Sequence, residues 1–297
     1  MKNASHAGKR RGRAGCALLL FAAVLGAPAM AMAQQQDGLI QLINAFREAP
    51  GACAGAATKP AGPLSPEPRL AEAALSRDGG QALKEAGLPV AAMEAISVSG
   101  PASAAAAMEA IRGRYCAVLA KPEYTLIGVS RKGDTWRVVL ARPRFPASST
   151  ALEGADRKIL DLVNAARAKA RTCGVTRYPA ARPLAWNEAL ADAARAHSTD
   201  MASNNYFAHA ARNGEHAGER AEKAGYRWRR IGENIAAGQD SPGSAVDGWL
   251  SSPGHCANLM DPRFTEMGAG HAIDRKSDLL IYWTQVFGTP RRGTAGQ

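Results

Sequence analysis

The sequence predicts an α+β fold laid down twice in tandem, and three observations carry that prediction. Segments with helical apolar spacing alternate with short runs of β-formers, the pattern of layered α+β domains. The residues from Leu39 onward recur from Ile159 onward at a constant offset of 120. Four cysteines beyond the N-terminal segment fall one early and one late in each repeat.

Taken in order, the chain opens with basic "KRRGR" before the apolar run "ALLLFAAVLGAPAMAMA", which ends in Ala31-Met32-Ala33. Residues 1–33 therefore read as a secretory leader cleaved before Gln34. The apolar core is short for a membrane anchor, and Cys16 precedes it, which argues against a lipoprotein. No later stretch is long and apolar enough to predict a transmembrane segment. The expected location is the periplasm or the exterior, where disulfides persist. Losing the leader removes five basic residues (Lys2, Lys9, Arg10, Arg11, Arg13) and no acid, taking the formal charge from +11 to +6. The remaining charges are dispersed, so no nucleic-acid footprint is expected.

The first unit is placed at 37–142 and the second at 154–290, with a linker at 143–153 around "RPRFPASSTALEG" and a frayed tail at 291–297. Within the second unit, apolar Ile159, Leu160, Leu162, Val163 and Ala166 predict an amphipathic helix over 155–171. Asn187 is a candidate cap for "EALADAARAHSTDMA". "DSPGSAVDGWLSS" reads as a capped short helix with Val246, Trp249 and Leu250 inward, and "LLIYWTQVFG" as a largely buried strand.

The repeat is specific. Asn44, Ala45, Arg47 and Cys53 match Asn164, Ala165, Arg167 and Cys173, and Pro63, Leu64 and Leu70 match Pro183, Leu184 and Leu190. Later, Cys116, Leu119, Pro122 and Gly128 match Cys256, Leu259, Pro262 and Gly268 at an offset of 140. The first unit is thus shortened by roughly twenty residues around "DMASNNYFAHAARNGEH". This register favours bridges Cys53–Cys116 and Cys173–Cys256, each worth on the order of 4 kcal/mol in the chain-entropy model. The alternative joins equivalent cysteines between units. Cys116 has no histidine beside it, so Cys256, next to His255, reads as structural rather than nucleophilic.

"NEALADAARAHSTDMASNNYFAH", "GENIA", "SPGHCANLMDPRFTEMGAG" and "YWTQVFG" follow one another over about 130 residues. These four ordered blocks resemble a CAP (SCP) domain of the bacterial secreted type, the family of cysteine-rich secretory proteins, antigen 5 and pathogenesis-related 1. The first unit resembles a degenerate copy. The resemblance implies an α-β-α sandwich with an open cleft lined by His209, His255 and Glu233. Where the eukaryotic pattern has a second glutamate, three residues past Trp249, this chain has Ser252, so the fourth member is absent.

Two neutral imidazoles suit a borderline divalent ion such as Zn²⁺ or Cu²⁺ with open coordination positions. Glu233 could orient one imidazole or polarise a bound water, or it could simply anchor a turn. Outside this group, His197 reads as a packed histidine, Glu215-His216 as exposed loop and His271 as a loop residue. Trp186, Trp228 and Trp249 read as core. The function expected is a secreted binding module whose cleft takes a divalent metal and a lipid, glycan or protein ligand. The rival is a metal-assisted, peptidase-like hydrolase with His209 and His255 as ligands and Glu233 as base. The first unit, with no histidine between Gln34 and Thr150, is expected to bind no metal and to serve as a packing or partner domain.

Overall fold

The computed structural model describes residues 1, 27–53, 55–73, 79–144 and 152–291. Most of the expected leader, Cys16, the centre of the expected linker and all but the first residue of the expected tail lie outside the described residues. In the first unit the order is α1 (Ala27–Glu48), β1 (Ala52–Cys53), β2 (Ala56–Ala57), β3 (Ser65–Pro66), α2 (Pro68–Ala73), α3 (Gly79–Glu85), β4 (Val90–Ser99), α4 (Ala104–Leu119), β5 (Leu126–Lys132) and β6 (Thr135–Pro143). The second unit runs α5 (Ala155–Arg167), β7 (Arg171–Cys173), β8 (Thr176–Tyr178), β9 (Ala185–Trp186), α6 (Glu188–Ser203), α7 (Ala217–Lys223), β10 (Trp228–Ala237), α8 (Pro242–Leu250), α9 (Pro253–Met260), β11 (Glu266–Ile273) and β12 (Ile281–Pro290).

Each unit holds a four-stranded sheet, in the order β3-β5-β6-β4 and β9-β11-β12-β10. The first pair in each sheet is parallel and the rest antiparallel. In the second unit the alternation along β12 divides its side chains between two cores. Ile281, Trp283 and Phe287 pack with α5, α8 and α9, while Val286 meets Leu190, Ala194 and Ala221 of α6 and α7. The first unit is layered likewise, with α1 and α4 on one face of the sheet and α2 and α3 on the other. Burying a side chain of Leu or Phe size contributes about 1.5–3 kcal/mol, so these faces dominate stability.

Beneath these cores lies a polar skeleton. Arg47 is buried and donates from Nε to Gly62 O (2.8 Å), from Nη1 to Leu119 O (2.5 Å) and Lys121 O (3.0 Å), and from Nη2 to Tyr124 O (3.0 Å). Arg167 donates in the same way to Arg182 O, Leu259 O, Asp261 O and Phe264 O. Asn44 and Asn164 each clasp the backbone of the leucine twenty residues on, through both its N–H and its C=O. Burial pushes the Arg47 guanidinium down to about 9, which still leaves it charged at neutral pH. The disulfides Cys53–Cys116 and Cys173–Cys256 close each unit separately. Gly128 and Gly268 let a helix lie directly on the sheet: a Cβ there would come within 2.4 Å of Ala71 N and 2.0 Å of Ala191 N, respectively.

The units meet through hydrogen bonds as well as packing. Gln239 Nε2 donates to Pro63 O (2.8 Å), Thr125 Oγ1 to Gly238 O (3.1 Å), Ser65 Oγ to Ser244 O (2.6 Å) and Asn44 Nδ2 to Ser251 O (3.1 Å).

Three local expectations need correcting. The helix expected over 155–171 ends at Arg167, because the chain must turn so that Arg171–Cys173 can pair with Thr176–Tyr178. His271 lies not in a loop but in β11, where Nδ1 bonds Asp156 Oδ1 at 2.7 Å and the ring packs against Trp283. Leu250, expected inward, is half-buried, as are Trp186 and Trp228, whereas Trp249 is fully buried. Asn187 does cap α6, accepting from Leu190 N, and His197 is buried with Nε2 bonded to Ala208 O at 3.0 Å.

Candidate functional site

Four segments converge on one cleft. Strand β10 carries Glu233, the loop between α6 and α7 carries His209, and α9 carries His255. The C-terminal end of α1, from the first unit, carries Glu48. Pro253 starts α9 at its first position, where a missing N–H costs nothing. Asn234 Nδ2 donates to His255 O at 3.2 Å, tying α9 to β10.

Glu233 is buried, and both its oxygens are engaged. Oε1 meets His209 Nδ1 at 2.8 Å and Oε2 accepts from Arg220 Nη2 at 2.6 Å. Arg220 also donates to the carbonyls of His209 (3.0 Å) and Glu215 (2.6 Å), so one guanidinium pins the histidine loop and the carboxylate together. Burial raises the Glu233 carboxyl, but the His209 hydrogen bond and the charges of His197, Arg220 and His209 outweigh it, and the net position is below the ordinary carboxylate value. An ionised carboxylate accepts only, so His209 donates to Glu233 from Nδ1, and Nε2 is the ring nitrogen that this pair leaves unused.

His255 has a parallel arrangement built from other parts. Its Nδ1 lies 2.8 Å from Ser252 Oγ and 2.8 Å from Glu48 Oε1, and Ser252 Oγ donates to the same carboxylate oxygen. This is not a nucleophile triad, because serine and carboxylate meet the same ring nitrogen rather than opposite ones. Ser252 has no exposed surface. Cys256, being disulfide-bonded, offers no thiolate.

His209, Glu233 and His255 line one cavity of about 560 Å³ together with Glu48, Pro60, Ala61, Phe207, Ile235 and Asn258. Its walls are apolar at Phe207, Ile235, Pro60 and Ala61, and the two imidazoles supply the polar end. Among the described residues no three His, Cys, Asp or Glu side chains gather as a closed metal cage requires. A metal here would therefore have no more than the two imidazoles as protein ligands, with the remaining positions going to water or ligand. A larger cavity of about 780 Å³ lies beside α6 and α7, lined by His197, Asp200, Glu215 and Arg220 among others. It contains neither cleft histidine, so the chemistry singles out the smaller one.

Of the residues the sequence nominated, His209, Glu233 and His255 share the cavity, whereas Ser252 stands behind His255 and does not line it. Reading the sequence missed Glu48 and Arg220. The signal for Glu48 was present: the repeat aligns it with Ala168, so an acid appears beside the matched arginine in the unit that lacks histidines.

A helix-flanked, mixed four-stranded sheet with a His/Glu cleft defines the class of domain. Residues 160–287 match the model of the Cysteine-rich secretory protein family, CAP, and this part of the chain is a CAP domain. Two Bacillus subtilis proteins are similar: an uncharacterized protein, YkwD, 34% identical over 142 residues (48% of this chain, 49% of the relative), and an uncharacterized membrane protein, YlbC, 36% identical over 132 residues (44% and 34%). The chain thus spans half or less of the length of these curated relatives. An extracellular protein containing a SCP domain from Bacillus anthracis aligns with a TM-score of 0.39 at 27% identity, covering 52% of each chain. An outer surface protein of Borrelia burgdorferi aligns with a TM-score of 0.38 at 16% identity, covering 50% of this chain and 98% of that one. Among the described residues no helix is long and apolar enough to cross a membrane.

Proposed function

We propose that this chain is a secreted or periplasmic binding protein whose CAP domain offers an open His/Glu cleft to a ligand, and that its first unit is a shortened second copy of the same fold. The observation that carries the binding reading is the pairing of two carboxylate-held imidazoles with an apolar wall in one cavity. Such a site suits an amphiphilic ligand, a lipid, a glycan or a protein segment, that brings hydrogen-bond donors to the Nε2 atoms. The shared strand order and the matched arginine hydrogen bonds support the second copy, and the basic-then-apolar N-terminal segment supports export.

Zn²⁺ or Cu²⁺ would be held by His209 and His255, with Glu233 fixing the His209 ring; when bound, the ion would supply a Lewis acid and an anchor for a donor atom of the ligand. Calorimetric titration of the full chain with each ion tests this. Micromolar or tighter binding, lost in a His209→Ala/His255→Ala double variant, is the expected result; equal binding by that variant would place the metal elsewhere.

The carboxylate-oriented imidazoles also favour a second reading, a hydrolase in which an imidazole Nε2, rather than the fully engaged Glu233, takes a proton from water. Screening peptide and ester substrates separates the two readings. The binding reading expects no turnover, whereas cleavage abolished by Glu233→Gln would establish the hydrolase.

A further inference from the structure

At the position three residues before His255, where the resemblance implies a glutamate, the second unit has Ser252 and so supplies no carboxylate there. The structure fills that gap from 204 residues away in the chain. Glu48 ends α1 of the first unit, its side chain is about one-third exposed, and its Oε1 both meets His255 Nδ1 at 2.8 Å and accepts from Ser252 Oγ. The approach depends on a glycine: a Cβ on Gly254 would lie 2.9 Å from Glu48 Oε2. Pro60 and Ala61, a short distance further along the first unit, line the same cavity.

We propose that Glu48 is the positioning residue of His255, so that the cleft is assembled from both units and the first unit is an obligate part of the ligand site. The inference rests on the binding reading of that cleft. A carboxylate on Nδ1 fixes the tautomer and ring orientation and leaves Nε2 able to accept from a ligand or bind a cation. Glu48 thereby serves His255 as Glu233 serves His209, partly through Ser252, whose Oγ is the hydrogen-bond partner of His255 Nδ1 and donates to Glu48, and both imidazoles line one cavity.

The test uses the full chain with ¹⁵N-labelled histidine, comparing wild type, Glu48→Gln, Glu48→Ala and Ser252→Glu in the Glu48→Ala background. Ring-nitrogen spectra report the His255 tautomer without any ligand, and Zn²⁺ titration reports affinity. In wild type, His209 and His255 are both protonated on Nδ1. Glu48→Ala releases His255 to populate the Nε2-protonated tautomer, leaves His209 unchanged and weakens Zn²⁺ binding about 10- to 100-fold. Glu48→Gln, which keeps an acceptor but not the charge, falls between. Restoration of the His255 spectrum by Ser252→Glu supports positioning, since a merely structural loss would not be rescued there. An unchanged His255 spectrum in Glu48→Ala overturns the proposal, as does a change that affects His209 equally. If wild type binds no Zn²⁺, the metal part of the binding reading fails, and the ligand-free spectra still decide the role of Glu48.

Discussion

The two units share a buried framework and differ in what they do with it. Arg47 and Arg167 reach the same four kinds of backbone carbonyl, Asn44 and Asn164 clasp the corresponding leucines Leu64 and Leu184, and each unit closes with one disulfide. Among the described residues, only the second unit has the long α6 and the histidine loop, while the first has a carboxylate where the second has Ala168. Framework and site are therefore separable: the internal hydrogen bonds specify the layers, and the site depends on a few side chains from a loop, a strand and two helices that face one cavity.

The sharpest way to break this comparison is to remove the matched arginines. Arg47→Met and Arg167→Met each strip the partners from four carbonyls, three or more of them buried, and the expected cost is about 3–5 kcal/mol apiece in chemical denaturation. A small cost at Arg47 would mean that the first unit no longer relies on the shared framework.

Next come the disulfides. Replacing Cys173 and Cys256 by serine opens a loop of sequence separation 83, and replacing Cys53 and Cys116 opens one of 63. Each should cost on the order of 4 kcal/mol. Hydrogen exchange should show the first change loosening β10–β12 and the second loosening β4–β6.

A smaller effect separates the units by pH. Burial holds His197 below its ordinary 6.5, opposed by Glu233, the Ala208 carbonyl and Asp200 and assisted by Arg220. The unfolded chain thus takes up a proton that the native state refuses, so stability is full above 6.5 and falls as pH drops from there toward the lower native value. Glu233, also held below its ordinary 4.5, contributes stability that is present above 4.5 and lost as pH falls through its native value. The Tm of the second unit should begin to fall below pH 6.5, and His197→Leu should remove that upper part of the decline. The first unit, lacking histidine, should be flat between pH 7 and 5 by exchange of its β4–β6 amides.

Much of this was legible in the sequence because it is local or periodic. The cap at Asn187, the helix starting at Glu188 and the buried strand, read over 279–288 and found at Ile281–Pro290, follow from spacing and side-chain chemistry. His209, Glu233 and His255 came from short blocks whose order carried the resemblance. What escaped was tertiary. The end of α5 at Arg167 is set by the β7–β8 pairing that follows, and His271 is drawn into β11 by its partners Asp156 and Trp283. Arg220 reads as one more surface basic residue in "GERAEK" until the fold brings Glu233 to it, and Glu48 meets His255 only once the units dock.

The claim that both units build one cleft is tested most directly by a double-mutant cycle on the full chain, with Glu48→Ala, His255→Ala and their combination followed by denaturant unfolding. The account predicts non-additivity of about 0.5–3 kcal/mol between residues 207 positions apart in the sequence, the range for groups in direct contact. Strictly additive losses would mean that Glu48 and His255 do not interact in solution, and that the first unit only lies beside the cleft.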